Sequence, residues 1–147
     1  MPKFLIIRFS SIGDIIQCMG IIDGIREHFP DAEIHWIARK DMSSFLAMDK
    51  RIGKIWAFDK ALGLKGLLKI ARQLREEHYD YIYDAHSNIR SNILRLKLFD
   101  SLVLILTPSF PQRIPFTGLH LAVLDLFQTR SQFLSCNITK KFSTVRN

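Results

Sequence analysis

Two short stretches hold the side chains that could do chemistry in this chain. The first is Ser10-Ser11-Ile12-Gly13-Asp14: two hydroxyls, a glycine and a carboxylate. The second is Asp84-Ala85-His86-Ser87-Asn88-Ile89-Arg90-Ser91, a carboxylate followed by hydrogen-bonding groups and a cation. A carboxylate at a helix N-terminus is kept ionised by the helix dipole. Gly13 is expected to let the backbone turn tightly beside it. The competing structural reading makes Asp14 an N-cap, worth about 1 kcal/mol. The second stretch suits a hydroxyl-rich or phosphorylated ligand, with Arg90 able to grip an anion in two places. Its structural alternative is a capping box or an Asx turn opening the next helix. The first stretch lacks the three glycines of a dinucleotide fingerprint and the Gly-Lys-Ser/Thr end of a P-loop, so neither kind of diphosphate cradle is expected. His28, His35 and His78 have no partners at metal-ligand spacing and read as surface or packing residues; no metal site is expected.

The elements that must position these stretches alternate between strand and helix. Lys3–Ile7 is apolar with the length of a strand, and Asp14 opens a run in which Ile15, Met19, Ile22, Ile25 and Phe29 fall on one helical face ending before Pro30. Gln17, Asp23, Arg26 and Glu27 fall opposite. Glu33–Ala38 alternates like a half-buried strand, and residues 42–48 can form a short helix. Lys54–Phe58 reads as a third strand. In a helix over 64–77, Leu67, Ile70, Ala71 and Leu74 share a face while Lys65, Lys69, Arg72 and Arg75 point outward. A fourth strand, Tyr79–Asp84, leads into the second chemical stretch and a helix to about Leu98. Such alternation predicts βαβ units and a mostly parallel α/β sheet, and the order 3-2-1-4 would set strands one and four side by side with both loops opening into one crevice.

With 147 residues, 48% of them hydrophobic, the chain can bury a core. Its formal net charge of +7 and pI near 9.7 favour an anionic partner: a phosphorylated sugar or lipid, a membrane surface or nucleic acid. Nucleic acid ranks low, because the aromatics occupy strand-like or apolar-face positions and no nucleic-acid motif appears. Cys18 and Cys136 match no redox or metal spacing and read as packing thiols of a cytoplasmic protein. No signal peptide or membrane span is recognisable at the N-terminus. Charged residues thin out after about residue 100, where Pro108, Pro111 and Pro115 interrupt the pattern. A strand at 101–106 and a helix at 118–127 are the only elements expected there.

The two chemical stretches, with His28-Phe-Pro-Asp-Ala-Glu-Ile34 between them, resemble the N-terminal half of the ADP-heptose:lipopolysaccharide heptosyltransferases of glycosyltransferase family 9. The resemblance covers about residues 1–97. It implies a Rossmann-like parallel sheet forming the acceptor-binding N-terminal lobe of a GT-B glycosyltransferase, with the nucleotide-sugar-binding C-terminal lobe absent and residues 98–147 a divergent tail, truncated or frame-shifted. Family-like coding that resumes in another reading frame downstream would support that origin for the tail. The implied reaction is inverting transfer of heptose from ADP-heptose to a sugar of the lipopolysaccharide inner core. By the same resemblance Asp14 is the general base, while Ser10, Ser11, Gly13, His86, Asn88 and Arg90 line the acceptor side. No cofactor is implied beyond the donor substrate, and contact with the inner membrane is peripheral. Ser87 stands where the family usually has glycine, and Gly20 where many members have proline. Without a donor lobe the chain alone is expected to transfer no sugar, since the reaction requires both substrates held in line. The rival expectation is a basic α/β module that binds an anionic glycolipid or nucleic acid without catalysis.

Overall fold

The computed structural model describes residues 1–98 and 104–106. Strand β1 (Lys3–Ile7) leads into α1 (Ile12–His28), β2 (Glu33–Arg39), α2 (Lys40–Leu46) and β3 (Lys54–Phe58). A 3-10 turn (Lys60–Leu62) and α3 (Gly63–Glu76) then connect to β4 (Tyr81–Asp84), α4 (Ile89–Leu98) and β5 (Leu104–Leu106). All pairings are parallel, in the order β3-β2-β1-β4-β5. The expected order therefore holds, with a fifth strand added beyond β4. Residues 101–103 and the expected helix at 118–127 lie outside the described residues, as does Cys136.

Glu33–Ala38 does not behave as the half-buried strand that its alternation suggests. Ile34 through Ala38 are all buried, because helices cover both faces of a parallel sheet. On one face Leu5, Ile7, Phe9, Ile37, Phe58 and Ile82 form a core with Leu67, Ala71 and Leu74 of α3 and Leu94 and Leu98 of α4. The alternate residues serve the other face. There Phe4 stacks on Tyr81 at 4.4 Å between ring centroids and tilts against Phe29, just past α1. Helix α1 buries Ile15, Cys18, Ile21, Ile22 and Ile25, so Cys18 packs as expected and burial pushes its thiol up to about 12. Lys65, Lys69, Arg72 and Arg75 are exposed on α3, also as expected.

At the amino-terminal edge of the sheet a polar clasp joins four strand starts. Lys3 Nζ pairs with Glu33 at 3.6 Å and Glu77 at 3.2 Å, and Lys54 also pairs with Glu77. Buried His35 sits between the Tyr79 hydroxyl, 2.7 Å from Nδ1, and Glu33, 2.9 Å from Nε2, while the Trp56 indole N–H donates to the same hydroxyl at 2.9 Å. His35 is thus a packing residue, as its sequence context suggests. Among the described residues no helix is long and apolar enough to cross a membrane, and no group of three His, Cys, Asp or Glu side chains could hold a metal.

Candidate functional site

The carboxyl-terminal edge of the sheet gathers the chemistry. Ile7 is in register with Ile37 on one side and Asp84 on the other, so the chain leaves β1 and β4 next to each other. Arg8 then spans the two exits. Its guanidinium donates to the Ala85 carbonyl and pairs with the Asp14 carboxylate, and its side chain is only 13% exposed. Backbone bonds fix its root: Arg8 N–H donates to Ile37 at 3.2 Å, and the Arg8 carbonyl accepts from the Trp36 indole at 3.2 Å. Sequence reasoning left Arg8 out of the site. The signal was present: a cation closing a fully buried apolar strand needs a partner at that edge.

Asp14 is not the N-cap of α1. Ser11 holds that position and Asp14 is the third helical residue, reaching back in a capping-box arrangement. Its Oδ2 accepts from the Ser11 N–H at 3.0 Å and the Ser11 hydroxyl at 2.9 Å. Burial opposes ionisation of Asp14, but the Ser11 N–H, the Arg8 guanidinium and the Ser11 hydroxyl outweigh it and hold the carboxyl below its ordinary range. The side chain remains 44% exposed, so an ionised oxygen stays open to a ligand. Gly13 does not turn the backbone as expected. It lies inside α1 without a positive φ, and a Cβ there would meet nothing within 4 Å. Ser10 is half-buried in the preceding loop.

In the second stretch both structural alternatives occur together. Asp84, fully buried, accepts from the His86 N–H at 3.0 Å and the Ser87 N–H at 2.9 Å, closing an Asx-type turn. Asn88 caps α4: its Oδ1 accepts from the Ser91 N–H at 3.0 Å, while Ser91 Oγ accepts from the Asn88 N–H at 2.9 Å. Ser87, between them, has φ of +46°. His86 stands edge-on to Phe9 at 5.2 Å, with Nδ1 buried and unpartnered. Burial and then the Arg8 charge lower its pKa, so the ring is neutral near pH 7; Asp84 and Asp14 oppose this shift, and Arg90 adds weakly to it. Arg8, bonded to Ala85 and paired with Asp14, brings the two stretches to a common locus. Arg90 is exposed on the first turn of α4.

A parallel sheet in the order β3-β2-β1-β4-β5, covered by helices on both faces, is the Rossmann-like architecture seen in the lobes of GT-B glycosyltransferases. Within that class the chain is similar to the N-terminal part of the lipopolysaccharide heptosyltransferases. It is 32% identical over 96 residues to the lipopolysaccharide core heptosyltransferase OpsX of Haemophilus influenzae, a match over 65% of this chain and 27% of that protein. It is 30% identical over 93 residues to lipopolysaccharide heptosyltransferase 1 of Campylobacter coli, covering 63% of this chain and 27% of that protein. The chain thus spans about a quarter of the length of these relatives. The crystal structure of the family 9 glycosyl transferase from Veillonella parvula shares the fold, with a TM-score of 0.70 and 17% identity over 85% of this chain and 41% of that one. No family model matches the sequence.

Proposed function

We propose that residues 1–97 bind the acceptor in heptosyl transfer from ADP-heptose to a lipopolysaccharide inner-core sugar at the cytoplasmic face of the inner membrane. The observation that carries this reading is Arg8 tying Asp14 to the loop of His86 at the open edge of the sheet. Asp14 acts as general base on the acceptor hydroxyl. Its lowered pKa keeps it ionised at neutral pH at the expense of basicity, which suits a proton that leaves late, when the attacked anomeric carbon already bears positive charge. A single base suffices for inversion, with the diphosphate departing from the opposite face. Ser10, Ser11 and the open surface at Gly13 line the near side of the acceptor; His86 and Arg90 line the far side, with Asn88 holding the helix that carries Arg90. The sequence of residues 98–147 diverges from the family, although Leu98 and Leu104–Leu106 still belong to the lobe, and these 147 residues alone bind acceptor without transferring sugar.

Calorimetric titration of the purified chain with a heptose-deficient core acceptor, and separately with ADP-heptose, tests the proposal. Acceptor heat that diminishes in Arg90→Ala, without donor heat, is the expected result. Silence toward the acceptor would overturn the reading.

A further inference from the structure

The loop that carries His86 depends on a cation outside both chemical stretches. It is held from two sides: Arg8 bonds the Ala85 carbonyl, and Asp84 Oδ1 accepts from the N–H groups of His86 and Ser87. Such holding is needed, because Ser87, with φ of +46°, would not stay in the left-handed region unaided. Asp84 itself is fully buried, and a buried carboxylate is costly unless a charge answers it. Among the described residues its one ion pair is with Arg95, whose Nη1 lies 3.5 Å from the second oxygen, Oδ2. Arg95 is placed unlike its neighbours. Arg90 and Lys97 on the same helix are exposed, as long cations usually are, whereas the Arg95 side chain is only 31% exposed and its Nε is buried without a partner. Burying an unpaired N–H is unfavourable, so what draws the guanidinium inward is the Asp84 charge.

We propose that Arg95 is a positioning residue of the site: by balancing the buried Asp84 carboxylate it keeps Oδ1 on the two loop amides, and so fixes the His86 imidazole against Phe9. It touches no ligand itself. The consequence for acceptor binding rests on the function proposed above, whereas the hold on the loop does not. At 3.5 Å the contact is longer than a good N–H···O bond, so the guanidinium acts by its charge rather than by its fork, and a lysine can replace it.

Arg95→Met keeps most of the apolar stem and removes the charge, and Arg95→Lys returns it. Each is made in the natural sequence and together with Asp84→Asn, whose amide oxygen can still accept from the loop N–H groups without a charge. NMR of the full 147-residue chain reads the His86 imidazole, whose titration is set by burial and by Arg8, Asp84, Asp14 and Arg90. In Arg95→Met that titration should move up, the Asp84 charge no longer being balanced, and the amide resonances of His86 and Ser87 should shift; Arg95→Lys should restore both. With Asp84→Asn in place, Arg95→Met should change neither. Calorimetry with the heptose-deficient core acceptor should show affinity about tenfold lower in Arg95→Met and regained in Arg95→Lys. Lowered urea stability in Arg95→Met, with the His86 titration and both amides unchanged, would make Arg95 a residue of stability alone and overturn the proposal. Equal effects of Arg95→Met with and without Asp84→Asn would also overturn it. Silence toward the acceptor in the unsubstituted chain would overturn the proposed function instead, and the NMR measurement would still decide the role of Arg95.

Discussion

Gly13 and Ser87 are each at odds with their backbone. Gly13 sits inside α1 where no positive φ or close neighbour calls for glycine, whereas Ser87 takes a left-handed φ of +46° that a glycine would adopt without strain. The resemblance to the heptosyltransferases places a glycine at the second position, and the structure supplies a physical reason. Gly13→Ala should therefore raise stability, by up to about 1 kcal/mol, because alanine loses less entropy in a helix. If the open surface at Gly13 admits a ligand, the same methyl should weaken acceptor binding. Ser87→Gly should stabilise by about 1 kcal/mol or less, strain relief exceeding the added freedom of the unfolded chain, and leave binding intact. Urea unfolding and acceptor titration of both variants check this. Destabilisation by Gly13→Ala would reveal a backbone demand that the geometry does not show.

At the scale of elements, the strands were legible because apolar runs and helical spacings depend on local sequence, and their order followed from the common doubly wound arrangement of such alternating units. Three things were not. Burial of β2 on both faces depends on which helices return to cover it, which alternation within seven residues cannot encode. Arg8 looked like an interruption of an apolar run because its partners, Asp14 and Ala85, meet only once β1 and β4 are adjacent. The clasp around Tyr79 was invisible for the same reason, its partners Trp56 and His35 being 23 and 44 residues away. Tyr79→Phe strips both of a hydrogen bond while filling nearly the same volume. It should cost about 1–3 kcal/mol in urea unfolding, the penalty for leaving buried polar groups unsatisfied. Lys54→Ala removes a half-exposed pairing with Glu77 and should cost less than about 1 kcal/mol. Equal costs would mean that the clasp is held by charge rather than by the buried hydroxyl.

Across the whole molecule, the depressed carboxyls occur at both edges of the sheet and beside α1. Arg51 beside Asp49, Lys54 beside Glu77 and His35 beside Glu33 lower those acids, and Asp14 is lowered in the site. A carboxyl whose folded pKa lies below its unfolded value binds fewer protons in the folded state, so its stabilisation is present above about pH 4 and lost as pH falls through the folded pKa. His86 also has a lowered pKa, but begins to act earlier. The unfolded chain protonates this imidazole near pH 6.5 while the folded chain resists, so stability declines as pH falls from about 6.5 to the folded pKa. The two sets predict a shallow loss below neutrality followed by a steeper one below about pH 4. His86→Gln should lessen the shallow phase and leave the steep one, as read by urea midpoints at intervals from pH 8 to pH 3. A shallow phase of unchanged size in that variant would show that the imidazole at the junction of the two loops is not held neutral by its surroundings, removing the electrostatic support for its place beside Asp14.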